Sequence, residues 1–210
     1  MNETPWTQQY ASYIEENIFY NKNGEVLERK VDSFLLEEIK KDILEDQTIS
    51  FLDFGCGTGR LLSLFEKKEI NIKNYFGYDT SLGMLEKALN KFPNNLFDLD
   101  LLQEKFDIVV SLDVLQHQNS LEEIKELANK IVNLAEKKAY LVFWLSNDNY
   151  YNKPVTVQKS TFNEHFLTLG QCKFNLFNEL KKDFDIKHEV FNEDPYKTCV
   201  FIFNRKSIVQ

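Results

Sequence analysis

The sequence has 210 residues, 43% of them hydrophobic and 28% charged, with a formal net charge of −8 at pH 7. At roughly 150 residues per domain that is one domain, able to bury about 70% of the surface its unfolded chain exposes without a disulfide or structural metal. The composition excludes a disordered, collagen-like or coiled-coil chain. The longest clean apolar run, 139–145, is far short of the ~20 residues of a membrane span. The acidic balance, with arginine only at 29, 60 and 205, argues against a general nucleic-acid binder. The start, MNETPWTQQY, lacks the charged and apolar regions of a secretory signal. Cys56, Cys172 and Cys199 are far apart and show no ligand spacing, so a reduced, cytoplasmic protein without a metal cage is expected.

In chain order, residues 5–20 are rich in aromatics and 21–24 read as a turn. A helix is predicted from Asp32, with Leu36, Ile39, Ile43 and Leu44 on one face. Residues 49–54 form a buried strand that runs into glycines. A helix over 59–68 contributes Leu61, Leu62, Leu64 and Phe65 to the core. A second strand covers 74–79. Ser81 caps a helix that buries Leu82, Leu85, Ala88, Leu89 and Phe92 and stops at Pro93. A short third strand lies at 95–97 and a fourth, apolar enough for burial on both faces, at 106–112. Ser120 with Glu123 opens a helix as a capping box, and a fifth strand follows at 140–145. The stretch 146–171 is polar and irregular. A helix near 174–182 precedes two strands, 184–191 and 197–203, whose short link permits only antiparallel pairing. The alternation predicts an α/β fold: a Rossmann-like three-layer sandwich with a mostly parallel seven-stranded sheet and an antiparallel C-terminal hairpin.

The sharpest local signal is Leu52-Asp53-Phe54-Gly55-Cys56-Gly57-Thr58-Gly59-Arg60, between a strand and a helix. Glycines there permit a tight turn and close approach to a ligand. The second strand ends in Tyr78-Asp79, where a carboxylate can accept hydrogen bonds from both hydroxyls of an adenosine ribose. The loop reads GxGxG, and Arg60 stands where a dinucleotide loop has its last glycine. Asp53 before the first glycine would disfavour a pyrophosphate and favour a cationic ligand.

At these residues the sequence resembles the class I S-adenosylmethionine-dependent methyltransferases. LDFGCGTGRL is similar to their first motif. Phe76 to Ser81 followed by Met84-Leu85, then Phe97-Asp98-Leu99, then Phe106 to Ser111 with Val114 to His117, resemble three further motifs in order. The resemblance implies S-adenosylmethionine as cofactor and S-adenosylhomocysteine as product. It implies that Gly55, Cys56, Gly57 and Gly59 form the cofactor loop, with Gly55 and Gly57 meeting the methionine moiety above Asp53 and Cys56 a small filler. Asp79 takes the ribose hydroxyls. Asp98, or Asp100 two residues on, takes the adenine amine, with the Leu99 backbone and Thr80 or Ser81 nearby. Ser111 offers its carbonyl near the reacting end.

The chemistry implied is displacement from a sulfonium, in which the protein mainly aligns the partners. His117, after the fourth strand, is the candidate general base, with a helix-capping or packing role as its alternative; His165 is a weaker candidate. His188 reads as structural and Trp144 as core. Tyr10 and Tyr13 with Trp6 either close over the sulfonium by cation–π attraction or form the inner face of a packed helix. Trp6, Tyr150 and Tyr151 are candidate substrate contacts. The expected organisation is one domain: a helical lid at 1–48, a cofactor core at 49–145, a substrate-loop insertion at 146–171, and a C-terminal helix and hairpin at 172–210. The expected activity is methyl transfer to a small molecule, oxygen favoured over nitrogen, by a monomer or homodimer without nucleic-acid or membrane partners. A non-catalytic cofactor-binding activator, a protein methyltransferase and a nicotinamide oxidoreductase are the alternatives.

Overall fold

The computed structural model describes residues 19–98, 104–118, 120–145, 155–159, 162–166, 176–192 and 197–207, with 155–159 and 162–166 described by backbone alone. In chain order the elements are α1 (Lys30–Glu45), β1 (Ser50–Phe54), α2 (Arg60–Lys67), β2 (Asn74–Tyr78), α3 (Leu82–Lys91), β3 (Leu96–Asp98), β4 (Phe106–Leu112), α4 (Leu121–Asn133), β5 (Ala135–Leu145), β6 (Val155–Lys159), β7 (Phe162–Phe166), β8 (Phe184–Asn192) and β9 (Lys197–Arg205). Seven strands form one sheet in the order β3-β2-β1-β4-β5-β9-β8, and β6-β7 form a separate pair. β1, β2 and β3 run parallel, and β9 is antiparallel to both β5 and β8. This is the expected Rossmann-like α/β architecture with its antiparallel C-terminal strands. No helix among the described residues is long and apolar enough to cross a membrane.

Packing divides the chain into two compact units, Met1–Phe106 and Asp107–Gln210. In the first, Phe51 stacks on Tyr75 with centroids 5.8 Å apart and meets Phe65 edge-on at 5.5 Å. α1 begins two residues earlier than expected, at Lys30. Asp32 is its third residue and caps it, accepting from the Arg29 backbone N–H at 2.8 Å. The buried stripe is Val31, Asp32, Leu35, Leu36 and Ile39. The stripe closes a turn before the helix does, so Ile43 is only half-buried and Leu44 is exposed, contrary to expectation. On α3 the stripe is Met84, Leu85 and Ala88, continued by Phe92. Leu82 and Leu89 lie off it and are exposed, again contrary to expectation.

In the second unit, Phe177 packs on Phe201 at 4.7 Å and on Phe203 at 5.0 Å, and Phe143 stacks on Phe201. β5 begins five residues before the predicted strand, at Ala135. Its charged opening is held from the far end of β9, where Arg205 Nε and Nη2 donate to the Ala135 carbonyl at 3.1 and 2.8 Å. Two further expectations are corrected. The stretch 146–171 is not wholly irregular: β6 and β7 form an antiparallel hairpin in it, where β-branched Val155, Thr156 and Val157 favour extended chain. The helix expected near 174–182 is, among the described residues, a 3-10 turn at Glu179–Lys182. Phe177 and Leu180, three apart and both buried, match the tighter winding, and Leu180 N–H donates to Phe177 O at 3.2 Å.

Candidate functional site

The glycine loop joins β1 to α2 within the first unit. Gly55 N–H and Cys56 N–H both donate to the Tyr78 carbonyl, at 2.7 and 2.9 Å, which stitches the loop to the end of β2. Gly55, Gly57 and Gly59 have φ of +79°, +55° and +83°. One residue beyond β2, Asp79 completes the turn: Oδ2 accepts from Gly57 N–H and Oδ1 from Ser81 N–H, each at 2.9 Å. Burial raises the Asp79 carboxyl above its ordinary range, opposed by N–H donors from Ser81, Gly57 and Thr80. A Cβ built on Gly57 would meet nothing within 4 Å, so the loop's crest faces open space.

Asp53 lies beneath this turn and is fully buried. Tyr75 Oη donates to its Oδ2 at 2.5 Å. Burial pushes the Asp53 carboxyl up to about 7; Tyr75 opposes this, the Asp79 charge adds to it, and Arg60 opposes it. Burial also raises the Cys56 thiol, with the Asp53 and Asp79 charges adding. Gly77 makes room for both neighbours. A Cβ there would lie 2.3 Å from the Phe97 ring and 3.1 Å from Cys56 Sγ. Thr80 is exposed, and Asp98 is exposed at the end of β3 opposite Tyr78. Ser81 caps α3, its Oγ accepting from Met84 N–H at 3.4 Å.

Arg60 turns away from the loop. Its guanidinium pairs with buried Asp32, donates to the Leu27 carbonyl at 3.2 Å and lies 4.7 Å over the Phe19 ring. Arg29 pairs with the same carboxylate at 2.9 Å. Burial pushes the Asp32 carboxyl up, but the two guanidinia outweigh it and bring it to about 2.

In the second unit, Ser111 near the end of β4 is buried. Its Oγ and both amide atoms of buried Gln116 have no hydrogen-bond partner among the described residues. Asp113 is buried with φ +61°, held by its N–H to the Val142 carbonyl at 2.8 Å. His117, half-buried, ends a 3-10 turn. Burial lowers it to about 4, against the Asp113 charge and a hydrogen bond to the Asp113 backbone. The backbone of β7 runs beside this turn, with His165 opposite Thr156.

The structure therefore gathers Asp53, Gly55, Cys56, Gly57 and Asp79 in one unit, and Ser111 and His117 in the other. Trp6, Tyr10, Tyr13, Leu99, Asp100, Tyr150 and Tyr151 lie outside the described residues. His188 stacks on Phe201 at 5.3 Å; Trp144, expected in the core, is only half-buried, on the strand parity opposite to buried Phe143 and Leu145. Sequence reasoning missed Asp32, Tyr75, Gly77, Asp113 and Gln116. Two of these had a signal. Asp32 shares the apolar stripe of Leu36 and Ile39, where a charge demands a buried partner. Tyr75 has the same strand parity as Gly77, which pairs with Asp53.

The family described as a methyltransferase domain matches residues 21–201. The ubiquinone/menaquinone biosynthesis C-methyltransferase UbiE of Campylobacter jejuni is 33% identical over 106 residues, covering 44% of this chain and 43% of that protein, so the chain matches less than half the length of this relative. Among solved structures, the fold resembles magnesium protoporphyrin IX methyltransferase (ChlM) from Synechocystis PCC 6803 with bound SAH. The TM-score is 0.64 at 18% identity, over 93% of this chain and 92% of that one. An S-adenosylmethionine-dependent methyltransferase from Clostridium acetobutylicum ATCC 824 gives 0.62 at 16% identity, over 95% and 98%. The chain belongs to the methyltransferase domain family, and its fold is that of the S-adenosylmethionine-dependent methyltransferases it resembles. The residues present fit that cofactor: an open crest over Gly57, two buried-side acids, and a neighbouring arginine already committed to Asp32.

Proposed function

We propose that the chain catalyses S-adenosylmethionine-dependent methyl transfer to a small-molecule acceptor, with an oxygen nucleophile favoured over nitrogen. The observation that carries this is the Asp79 carboxylate bonded to Gly57 N–H, in a loop provided with acids and no free cation. Such a loop suits a sulfonium and disfavours a pyrophosphate. When bound, the cofactor supplies a methyl group already activated on sulfur. Asp79 exchanges part of its bonding to the loop for the ribose hydroxyls. Gly55 and Gly57, with Cys56 and Gly59, let the backbone meet the methionine end. Asp53 adds negative charge beneath it. Asp98 and the Leu99 backbone take the adenine edge, with Thr80 beside them, and Tyr10, Tyr13 and Trp6 shield the sulfonium.

The polar group at the end of β4 takes the acceptor. Among the described residues Ser111 Oγ and the Gln116 amide are buried without partners, a state that costs about 1–3 kcal/mol per group until something bonds to them. His117, neutral across the physiological range, accepts a hydrogen bond from the acceptor hydroxyl; it takes the proton only from an acidic one. His165, Tyr150 and Tyr151 contribute from the adjoining segment. Because positioning dominates, orientation supplies ~7–11 kcal/mol of the barrier reduction.

Calorimetric titration tests the reading. S-adenosylhomocysteine is expected to bind with micromolar affinity and NADH not at all. Asp79→Ala is expected to weaken that binding at least ~tenfold, about 1.4 kcal/mol, with the circular dichroism spectrum unchanged. An unaltered affinity rejects the ribose assignment, and retention of NADH in preference to the thioether rejects the cofactor.

A further inference from the structure

Among the described residues β8 is the last strand of the seven-stranded sheet, and it is nine residues long. A long edge strand offers a row of backbone donors and acceptors, which proteins either shield or use for pairing. Its side chains alternate between two faces. Phe184, Ile186, His188 and Val190 lie on one; Asp185, Lys187, Glu189 and Phe191 lie on the other. Phe184 is buried against β9, while Lys187, Glu189 and Val190 are exposed.

We propose that β8 pairs antiparallel with β8 of a second copy of this chain, about a two-fold axis at His188, so that one sheet continues through a homodimer. The order of residues along the strand argues for this register. With His188 opposite itself, Lys187 faces Glu189 of the partner subunit, and symmetry makes that pair twice. Ile186 faces Val190 of the partner subunit, also twice, joining the two apolar faces. Asp185 keeps its own chain's Lys206, 3.9 Å away. The neighbouring even registers are worse. Centring on Lys187 sets lysine against lysine and Asp185 against Glu189 of the partner subunit. Centring on Glu189 sets glutamate against glutamate. A one-residue slip sets each charged position against the apolar face. Centring on Ile186 also sets Asp185 against Lys187 of the partner subunit twice, but it draws Asp185 from Lys206 and sets Asp183 against Glu189 of the partner subunit, so the His188 register is the most self-complementary for an isologous interface.

Sedimentation velocity on the full chain over a concentration series tests this. The wild-type chain is expected to show a concentration-dependent dimer. Lys187→Glu and Glu189→Lys, both exposed positions, each place like charges opposite one another twice and are expected to raise the dissociation constant at least ~tenfold. The double exchange Lys187→Glu/Glu189→Lys restores the opposite charges and is expected to return the constant to within ~threefold of wild type. Thermal melts establish that each variant is folded. A chain that stays monomeric up to its solubility limit overturns the proposal. So does a dimer indifferent to both single changes, a double exchange without rescue, or a dimer broken by Leu82→Glu or Leu89→Glu on α3 instead.

Discussion

Asp53 holds a buried carboxyl whose Oδ2 accepts from Tyr75 Oη at 2.5 Å. Its folded-state value of about 7 lies above the ordinary 3.8, so the folded protein binds the proton more tightly than the unfolded chain. The sign follows from linkage. Stability is lost as pH rises from about 4 to about 7, by an amount on the order of 4 kcal/mol. Asp53→Asn keeps an acceptor for Tyr75 and removes the titration. Its gain in unfolding free energy over wild type, read by denaturant melts, is expected to be small at pH 4 and to grow to a plateau above pH 7. A gain independent of pH refutes the account. At this scale the turn was legible because positive φ at Gly55, Gly57 and Gly59 is a conformation that few residues other than glycine adopt. Tyr75 was not, because an apolar strand position says nothing of where its hydroxyl ends. The effect on His117 was not either: its ordinary value suits a base, and only burial, which no motif records, carries it to about 4.

At the scale of elements, α1 and α2 are joined by one buried carboxylate. Asp32 caps α1, pairs with Arg29 and pairs with Arg60 in the first turn of α2. Asp32→Ala leaves a buried guanidinium uncompensated and is expected to cost about 3–5 kcal/mol in denaturant unfolding. Because the Asp32 value is depressed to about 2, its contribution is present above about pH 4. It is lost as pH falls toward 2, about 2 kcal/mol in all. The variant should therefore lack the part of the acid-unfolding limb that the wild type shows there; an identical limb in both contradicts this. The strand–helix alternation from β1 to β4 was legible from period and from Ser81 as a cap. The hairpin β6-β7 was hidden by polar side chains on an extended backbone. The opening of β5 was hidden because Arg205, 70 residues on, secures Ala135.

For the whole molecule, the motifs were legible as an ordered set, whereas the division at Phe106 was not. It falls at the first residue of β4, where no linker or change of composition marks it. A ligand that binds only the folded chain raises its stability by mass action. S-adenosylhomocysteine at about 100 times its dissociation constant should add about 2.7 kcal/mol, seen as a higher melting temperature. NADH at the same concentration should add nothing. Equal shifts with both compounds, or none with either, contradict the proposed function.

A carboxyl whose value stands near 7 is only partly ionised around neutral pH, so a positive ligand that draws it to the charged form also makes binding a source of acid. Near pH 6.5, uptake of the sulfonium should discharge part of a proton into the medium, and the measured heat should then vary with the ionisation enthalpy of the buffer. The uncharged thioether product should discharge less, so that the two forms of one cofactor are told apart by Asp53 through the buffer alone.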